Sequence, residues 1–375
     1  MKEMIARVGK HNGGMSLFIN DIPQPATYYK ITETPDSGEF FQAAETEIPA
    51  MARNGISLCW VPLFLDWKGP GDYDFSDFDS RIDSILRLYD SHTPEEKAPA
   101  CIGIRIQAAV FHPAWYIDWH RDAAGEPTNL IRFSTPWGKT DGRSCTEAIS
   151  PGDGFWDTHA LDCLRAIVTH VRQSNYAHRV FGYLPCALNS NEWFIRTFIP
   201  GATCDFSEPA EKAFKAHCMN AGIDAATVPS PDACQRGGRG EFLVGAEGRL
   251  VEEFSLWLNN RVGDIILGFA QTIKALCADS PKIVGFFYGY TTELSFFQNL
   301  SHSGHLALRR ILESDQVDFL CSPCQLRYRR DEGEFTYSMV LGPFADSGAC
   351  CNKLVFAEDD HPPTFYYSCL LYTSR

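Results

Sequence analysis

The chain has 375 residues, of which 45% are hydrophobic and 13% aromatic, with a formal charge of −14. That length supplies a large core and fits one (β/α) barrel as naturally as two ordinary domains. Acids are spread along the chain. This balance argues against nucleic acid, whose phosphates need a basic face, and suits a neutral substrate.

The first residues, "MKEMIARVGKHNGG", contain no apolar h-region, so no secretory signal is expected. No apolar run reaches the length of a transmembrane helix, so no membrane partner is expected. Most of the 14 cysteines, among them Cys59, Cys101, Cys163 and Cys277, stand singly inside apolar patterns. Such thiols behave as small core residues in a reducing compartment, which predicts a cytoplasmic protein.

Seven apolar runs read as strands: "SLFINDI" (16–22), "GISLCWVPLF" (55–64), "CIGIRIQAAVF" (101–111), "RVFGYLPCAL" (179–188), "KIVGFFYGY" (282–290), "VDFLCSPC" (317–324) and "KLVFAE" (353–358). Helix-period patterns lie between them at 75–89, 156–174 and 250–277. Residues from about 195 to 250, rich in Gly, Pro and Ser, read as an excursion with one short helix near Glu208–Asn220. Buried strands alternating with helices predict a parallel sheet covered by helices. Seven repeats with no G-x-G-x-x-G after any strand favour a (β/α)8 TIM barrel over a dinucleotide-binding sheet.

Functional side chains of such a barrel gather at the C-terminal ends of its strands. Those ends offer Asp66 and Trp67, then His112 and Trp115, then Asn191 and Glu192. Tyr288 and Tyr290 follow, and finally Glu358 with Asp360. Two carboxyl groups converging across the mouth can share one bond-breaking task. One protonates a leaving oxygen while the other attacks the sugar carbon or activates water. A carboxylate at the end of an apolar strand is otherwise costly to bury.

On "SNEWF" (190–194), "WKGPGDYDFSDFD" (67–79), "VGFFYGYTTEL" (284–294), "SGHLALRRILESDQVDFLCSP" (303–323) and "NKLVFAEDD" (352–360), the chain resembles a clan A glycoside hydrolase, close to the β-galactosidases of family 42. The resemblance covers nearly the whole chain. It implies double-displacement hydrolysis of a terminal β-glycosidic bond with retention, without a cofactor. Glu192 takes the acid/base position at the end of the fourth strand, and Glu358 the nucleophile position at the end of the seventh. Asn191 matches the residue that binds the sugar 2-hydroxyl. Arg105, mid-strand in "IGIRIQ", matches an arginine that holds the nucleophile, with an ordinary structural ion pair as the alternative. Trp193, Tyr288 and Trp115 are candidates to stack on sugar faces, against core packing as the plainer reading. Asp360 is the rival acid to Glu358. The substrate expected is a small carbohydrate, with β-galactoside first and β-glucoside, β-mannoside or arabinoside as alternatives. A carbohydrate-binding protein without activity, or an inactive barrel fragment, is the reading from another class.

The chain also departs from the family. Relatives often carry a four-cysteine zinc cluster, whereas Cys204, Cys218 and Cys234 offer no C-x-x-C and Cys321 with Cys324 form only half a site, so no metal is expected. His112 and His305 read as structural or subsite residues. "DDHPPT" replaces the family's polar run with a basic residue. Only 17 residues follow the seventh strand, so the barrel is expected to lack its final strand in a truncated chain. Residues 1–367 would then form the catalytic domain and 368–375 a non-native tail. Relatives are often trimers, which leaves a homo-oligomer open.

Overall fold

The computed structural model describes residues 4–25, 27–31, 39–132, 147–193, 195, 204–224, 227–238, 241–291, 300–323 and 346–358. For residues 39–44, 132, 237–238, 300, 323 and 357–358 only the backbone is described. Asp360, Cys324 and the expected tail lie outside these residues.

Seven parallel strands form one sheet: β4 (Tyr29–Lys30), β5 (Leu58–Leu63), β8 (Cys101–Ile106), β11 (Val180–Pro185), β12 (Ile283–Phe287), β13 (Phe319–Pro323) and β14 (Leu354–Glu358). They pair in strict chain order from β4 to β14, while β6 (Asp66–Gly69) with β7 (Asp72–Asp74) and β9 (Leu130–Arg132) with β10 (Glu147–Ile149) form two separate antiparallel pairs. Helices return the chain between strands, chiefly α2 (Ser76–His92), α4 (His159–Gln173), α7 (Gly245–Leu276) and the short α8 (Leu308–Glu313). The sheet curls on itself: Tyr28, just before β4, meets Phe356 of β14 edge to face at 4.8 Å and reaches the Cys321 Sγ at 3.4 Å. This is the expected parallel barrel architecture.

One strand expectation is corrected. Residues 16–22 do not begin the barrel. They fall in β2 (Gly14–Ile19) and β3 (Ile22–Pro23); β2 pairs antiparallel with both β1 (Ala6–His11) and β3 in a separate small sheet. The β1–β2 turn is Asn12–Gly13, both with positive φ (49° and 83°), the geometry that two-residue hairpin turns require. The first barrel strand is instead Tyr29–Lys30, too short to announce itself by period. The hairpin lies against the N-terminal ends of the barrel strands. Ala6 N–H donates to Pro281 O at 2.8 Å, and Ser280 Oγ donates to Met4 O at 2.9 Å. Met4, Ala6, Leu17 and Ile19 fill the barrel floor beneath Trp60 and Phe181.

Both faces of the sheet are buried, which is why its strands read as continuous apolar runs. Cys59, Val61, Ile102, Ile104, Val284 and Phe286 face the helices, while Leu58, Trp60, Phe181, Ile283, Phe287, Phe319 and Phe356 face inward. The large interior side chains fit because the neighbouring strands carry glycine opposite them. A Cβ on Gly103 would collide with the Trp60 ring, one on Gly182 would stand 2.6 Å from Ile283, and one on Gly285 2.5 Å from Phe319.

The excursion is more helical than its composition suggests. It contains α5 (Glu208–Ala221), close to the expected helix, and also α6 (Pro231–Gly238) before α7 begins at Gly245. Ser207 caps α5, its side chain accepting from Ala210 N–H, and Gly222 ends it in the left-handed conformation. Cys204, Cys218 and Cys234 are buried there as core residues.

Candidate active site

β11 ends at Pro185, and the next seven residues bring Glu192 to the C-terminal mouth. Four non-glycine residues in this turn hold left-handed φ: Leu188 (59°), Ser190 (55°), Asn191 (66°) and Trp193 (60°). Such conformations are uncommon, and for a bulky residue such as Trp each costs about 1–3 kcal/mol, so they persist only where surroundings over-determine them. Here the surroundings are visible. Trp193 N–H donates to Ala187 O at 2.9 Å, and its indole Nε1 donates to Pro185 O at 2.8 Å. The ring packs on Phe269 of α7 and Phe286 of β12 and is 0% exposed. Glu192 N–H donates to Asn189 O at 3.0 Å, and Ile195 N–H donates to Ser303 O at 2.7 Å.

Glu192 itself is half-buried, and Tyr290 donates its hydroxyl to Glu192 Oε1 at 3.4 Å. Its backbone is held by a histidine. His305 Nε2 lies 2.9 Å from Glu192 O, while Nδ1 accepts from Gly289 N–H at 3.0 Å and from Tyr290 N–H at 3.2 Å. An Nδ1 that accepts two backbone N–H groups carries no proton, so the proton sits on Nε2 and is donated to Glu192 O. The ring is completely buried and stacks on Tyr288 at 4.4 Å. Burial drives the His305 pKa down from 6.5 to about 3, against the bond to Glu192 O, so the ring is neutral.

Asn191 Oδ1 accepts from Ala108 N–H at 2.6 Å and so ties the β11 turn to the loop after β8. Arg105 points inward from β8, 7% exposed, with its guanidinium 5.2 Å over the Phe287 ring and its Nε without a hydrogen-bond partner among the described residues. Lys30 lies 5.6 Å from the same ring. The Cys186 thiol lies near both cations; burial raises its pKa, and Arg105 and then Lys30 draw it back down. Two cations thus enter the interior close to the mouth, where a carboxylate or a developing negative charge would be stabilised. Lys30 was not foreseen. The one available signal was a lysine inside the apolar run "YYKI" (28–31).

The expected aromatic residues divide. Trp115 is half-buried on the short α3 (Ala114–Trp119) beyond β8, edge-on to Trp67 at 5.3 Å and Trp119 at 4.8 Å. Tyr288 is 0% exposed, donating to Gly304 O at 2.7 Å and accepting from Ala307 N–H at 3.1 Å. Trp193 and Tyr288 therefore support the mouth from beneath. A ring with no exposed face has none to present to a sugar. His112 follows β8, and burial lowers its pKa.

Glu358 is the last residue of β14, paired in register with Pro323. Its side chain is outside the description. β14 lies three strands along the sheet from β11. Among the described residues, no group of three or more His, Cys, Asp or Glu side chains is arranged to hold a metal ion. Nor is any described helix long and apolar enough to cross a membrane.

No protein-family profile matches the chain, and no curated protein matches it in sequence. Solved structures do. The catalytic domain of a β-amylase from Paenibacillus polymyxa aligns at a TM-score of 0.61 and 11% identity, over 89% of this chain and 85% of that one. A β-galactosidase from Bacillus circulans sp. alkalophilus aligns at 0.49 and 11% identity, over 85% of this chain and 43% of that one, so this chain spans less than half of that enzyme. An endo-1,4-β-mannanase from Rhizomucor miehei aligns at 0.48 and 11% identity, over 93% and 80%. At 11% identity the likeness to the β-amylase domain establishes the fold alone, a parallel (β/α) barrel.

Proposed function

We propose that the protein is a retaining β-glycosidase in which Glu192 and Glu358 cleave a terminal β-glycosidic bond. The observation that supports this reading most is the strained turn at residues 188–193, which holds a half-buried Glu192 under the Tyr290 hydroxyl at the C-terminal mouth of a glycosidase-like barrel. Glu358 ends another strand at the same mouth.

In the first step a Glu358 oxygen attacks the anomeric carbon. The glycosidic C–O bond breaks, and the Glu192 proton passes to the leaving oxygen. In the second, Glu192 takes a proton from water, the water oxygen bonds to the anomeric carbon, and Glu358 is released. Asn191, Trp115 and the rival acid Asp360 complete the proposed binding set, with Arg105 and Lys30 balancing the carboxylate charge. A β-galactoside is the substrate we favour, in a reducing cytoplasmic setting that the unbridged cysteines support.

The test is hydrolysis of nitrophenyl β-glycosides with product anomers followed by NMR. E192Q should lower kcat by about 10²–10⁴-fold for alkyl leaving groups and much less for dinitrophenyl, which departs without a proton. E358Q should abolish turnover while sugar binding, read by calorimetry, persists. If both variants turn over normally, the assignment fails. If wild type binds galactose but cleaves nothing, the protein is a binder.

A further inference from the structure

We propose that His305 is a positioning residue that sets the Glu192 carboxylate against the Tyr290 hydroxyl, acting as a fixed neutral imidazole with its proton on Nε2. The inference rests on the reading of Glu192 as a catalytic acid/base, but its geometry stands independently. The ring bridges two loops that belong to different strands. On one side it donates to the Glu192 carbonyl, and on the other it accepts the amides of Gly289 and Tyr290. The residue whose backbone it grips on the first loop and one of those it grips on the second are the two whose side chains meet at 3.4 Å. The bridge therefore fixes both the spacing and the orientation of that pair.

The local chain is built to deliver the ring. Gly304, at φ 88°, brings the segment close to the β11 turn, where a Cβ would stand 3.2 Å from Trp193 O. Ser303 Oγ accepts from His305 N–H at 3.2 Å, and Ser303 O takes the amide of Ile195. Tyr288 stacks on one ring face and anchors its own hydroxyl on Gly304 O. A ring needed only to fill space would have been served by Leu or Phe. This one is set with a donor and an acceptor aimed at opposite loops, across a turn whose left-handed residues need an external restraint.

Three readouts test it. Glutamine offers an N–H and a carbonyl in place of the two ring nitrogens, whereas leucine offers neither. With a nitrophenyl β-glycoside, H305L should lower kcat by about 10²-fold with KM nearly unchanged, and H305Q should recover most of the loss. In 15N NMR of the wild type, His305 should hold the Nε2–H neutral form from pH 5 to 8. By hydrogen exchange, the Gly289 and Tyr290 amides should lose protection in H305L and regain it in H305Q. A proton on Nδ1, a ring charged at neutral pH, or unchanged exchange in H305L overturns the proposal. If H305L does not fold, the wild-type 15N spectrum and the H305Q kinetics decide. A wild type that cleaves no glycoside sinks the catalytic reading, while the tautomer and exchange measurements still judge the bridge.

Discussion

Tyr290 illustrates how much of this site depends on single polar atoms. Its ring packs with the barrel interior and against His305, yet its hydroxyl emerges beside Glu192 Oε1. Phenylalanine at this position keeps the packing and removes one hydrogen bond, worth about 1 kcal/mol. Y290F should therefore lower kcat about fivefold on a nitrophenyl glycoside with little change in melting temperature. An equal loss in H305L and in the double variant, measured as a cycle, would mark the two residues as one unit. Arg105 and Lys30 act at the same scale. Both cations lie beside Phe287 and Cys186, where the interior lowers the dielectric and any carboxylate brought near is strongly favoured in its charged form.

At the scale of elements, the parallel strands interlock by setting large side chains against glycines. Trp60 of β5 lies against Gly103 of β8, Ile283 of β12 against Gly182 of β11, and Phe319 of β13 against Gly285 of β12. These glycines are spaces for the facing side chains, and none of the three needs left-handed backbone. G103A should destabilise the fold by about 1–3 kcal/mol, read as a lower denaturant midpoint, because a packed core has no room for the added methyl. W60L in the same chain should return part of that loss by vacating the collision. The helices follow simpler rules. α4 buries Cys163, Leu164, Ile167, Val168 and Val171 at helix spacing, and α2 buries Phe78, Ile82, Ile85 and Tyr89 in the same way.

For the whole molecule, the two ends of the barrel divide the labour. The hairpin β1–β2 packs the floor with apolar side chains, and the strained turn at 188–193 holds Glu192 at the mouth. Stability then couples to pH through His305. Its folded pKa of about 3 lies below the ordinary 6.5, so below pH 6.5 the unfolded chain binds the extra proton. Stability is full above 6.5 and falls as pH drops towards 3, by up to ~1.4 kcal/mol per unit. His112, also lowered by burial, adds in the same direction. Asp205 and Asp318, whose buried carboxyls are raised, act oppositely near their own values. Urea unfolding at pH 7 and pH 5 should therefore show a smaller acid loss in H305Q than in wild type, and an identical loss would remove His305 from the account.

Much of this organisation was legible in the chain because it follows from local pattern. Strands buried on both faces are apolar throughout, so β5, β8, β11, β12, β13 and β14 could be read directly, together with the amphipathic helices between them. An Asn-Glu pair closing such a run marked Glu192 in the same way. What local pattern cannot carry is the choice of partner. "SLFINDI" has a strand's composition whether it joins the barrel or folds back as a hairpin, and only the Asn12–Gly13 turn and the packing of Leu17 and Ile19 beneath Trp60 decide that. The burial of Trp193 and Tyr288 and the approach of Lys30 to Phe287 depend on contacts between distant strands. So does the grip of His305 on a carbonyl 113 residues away. The amino-acid sequence by itself determined the barrel class, the order of its later strands and the place of Glu192 at the end of one of them. Only the tertiary structure decided which side chains face the mouth and which brace it from below, because that depends on how the sheet curls and on hydrogen bonds that exist only once it has.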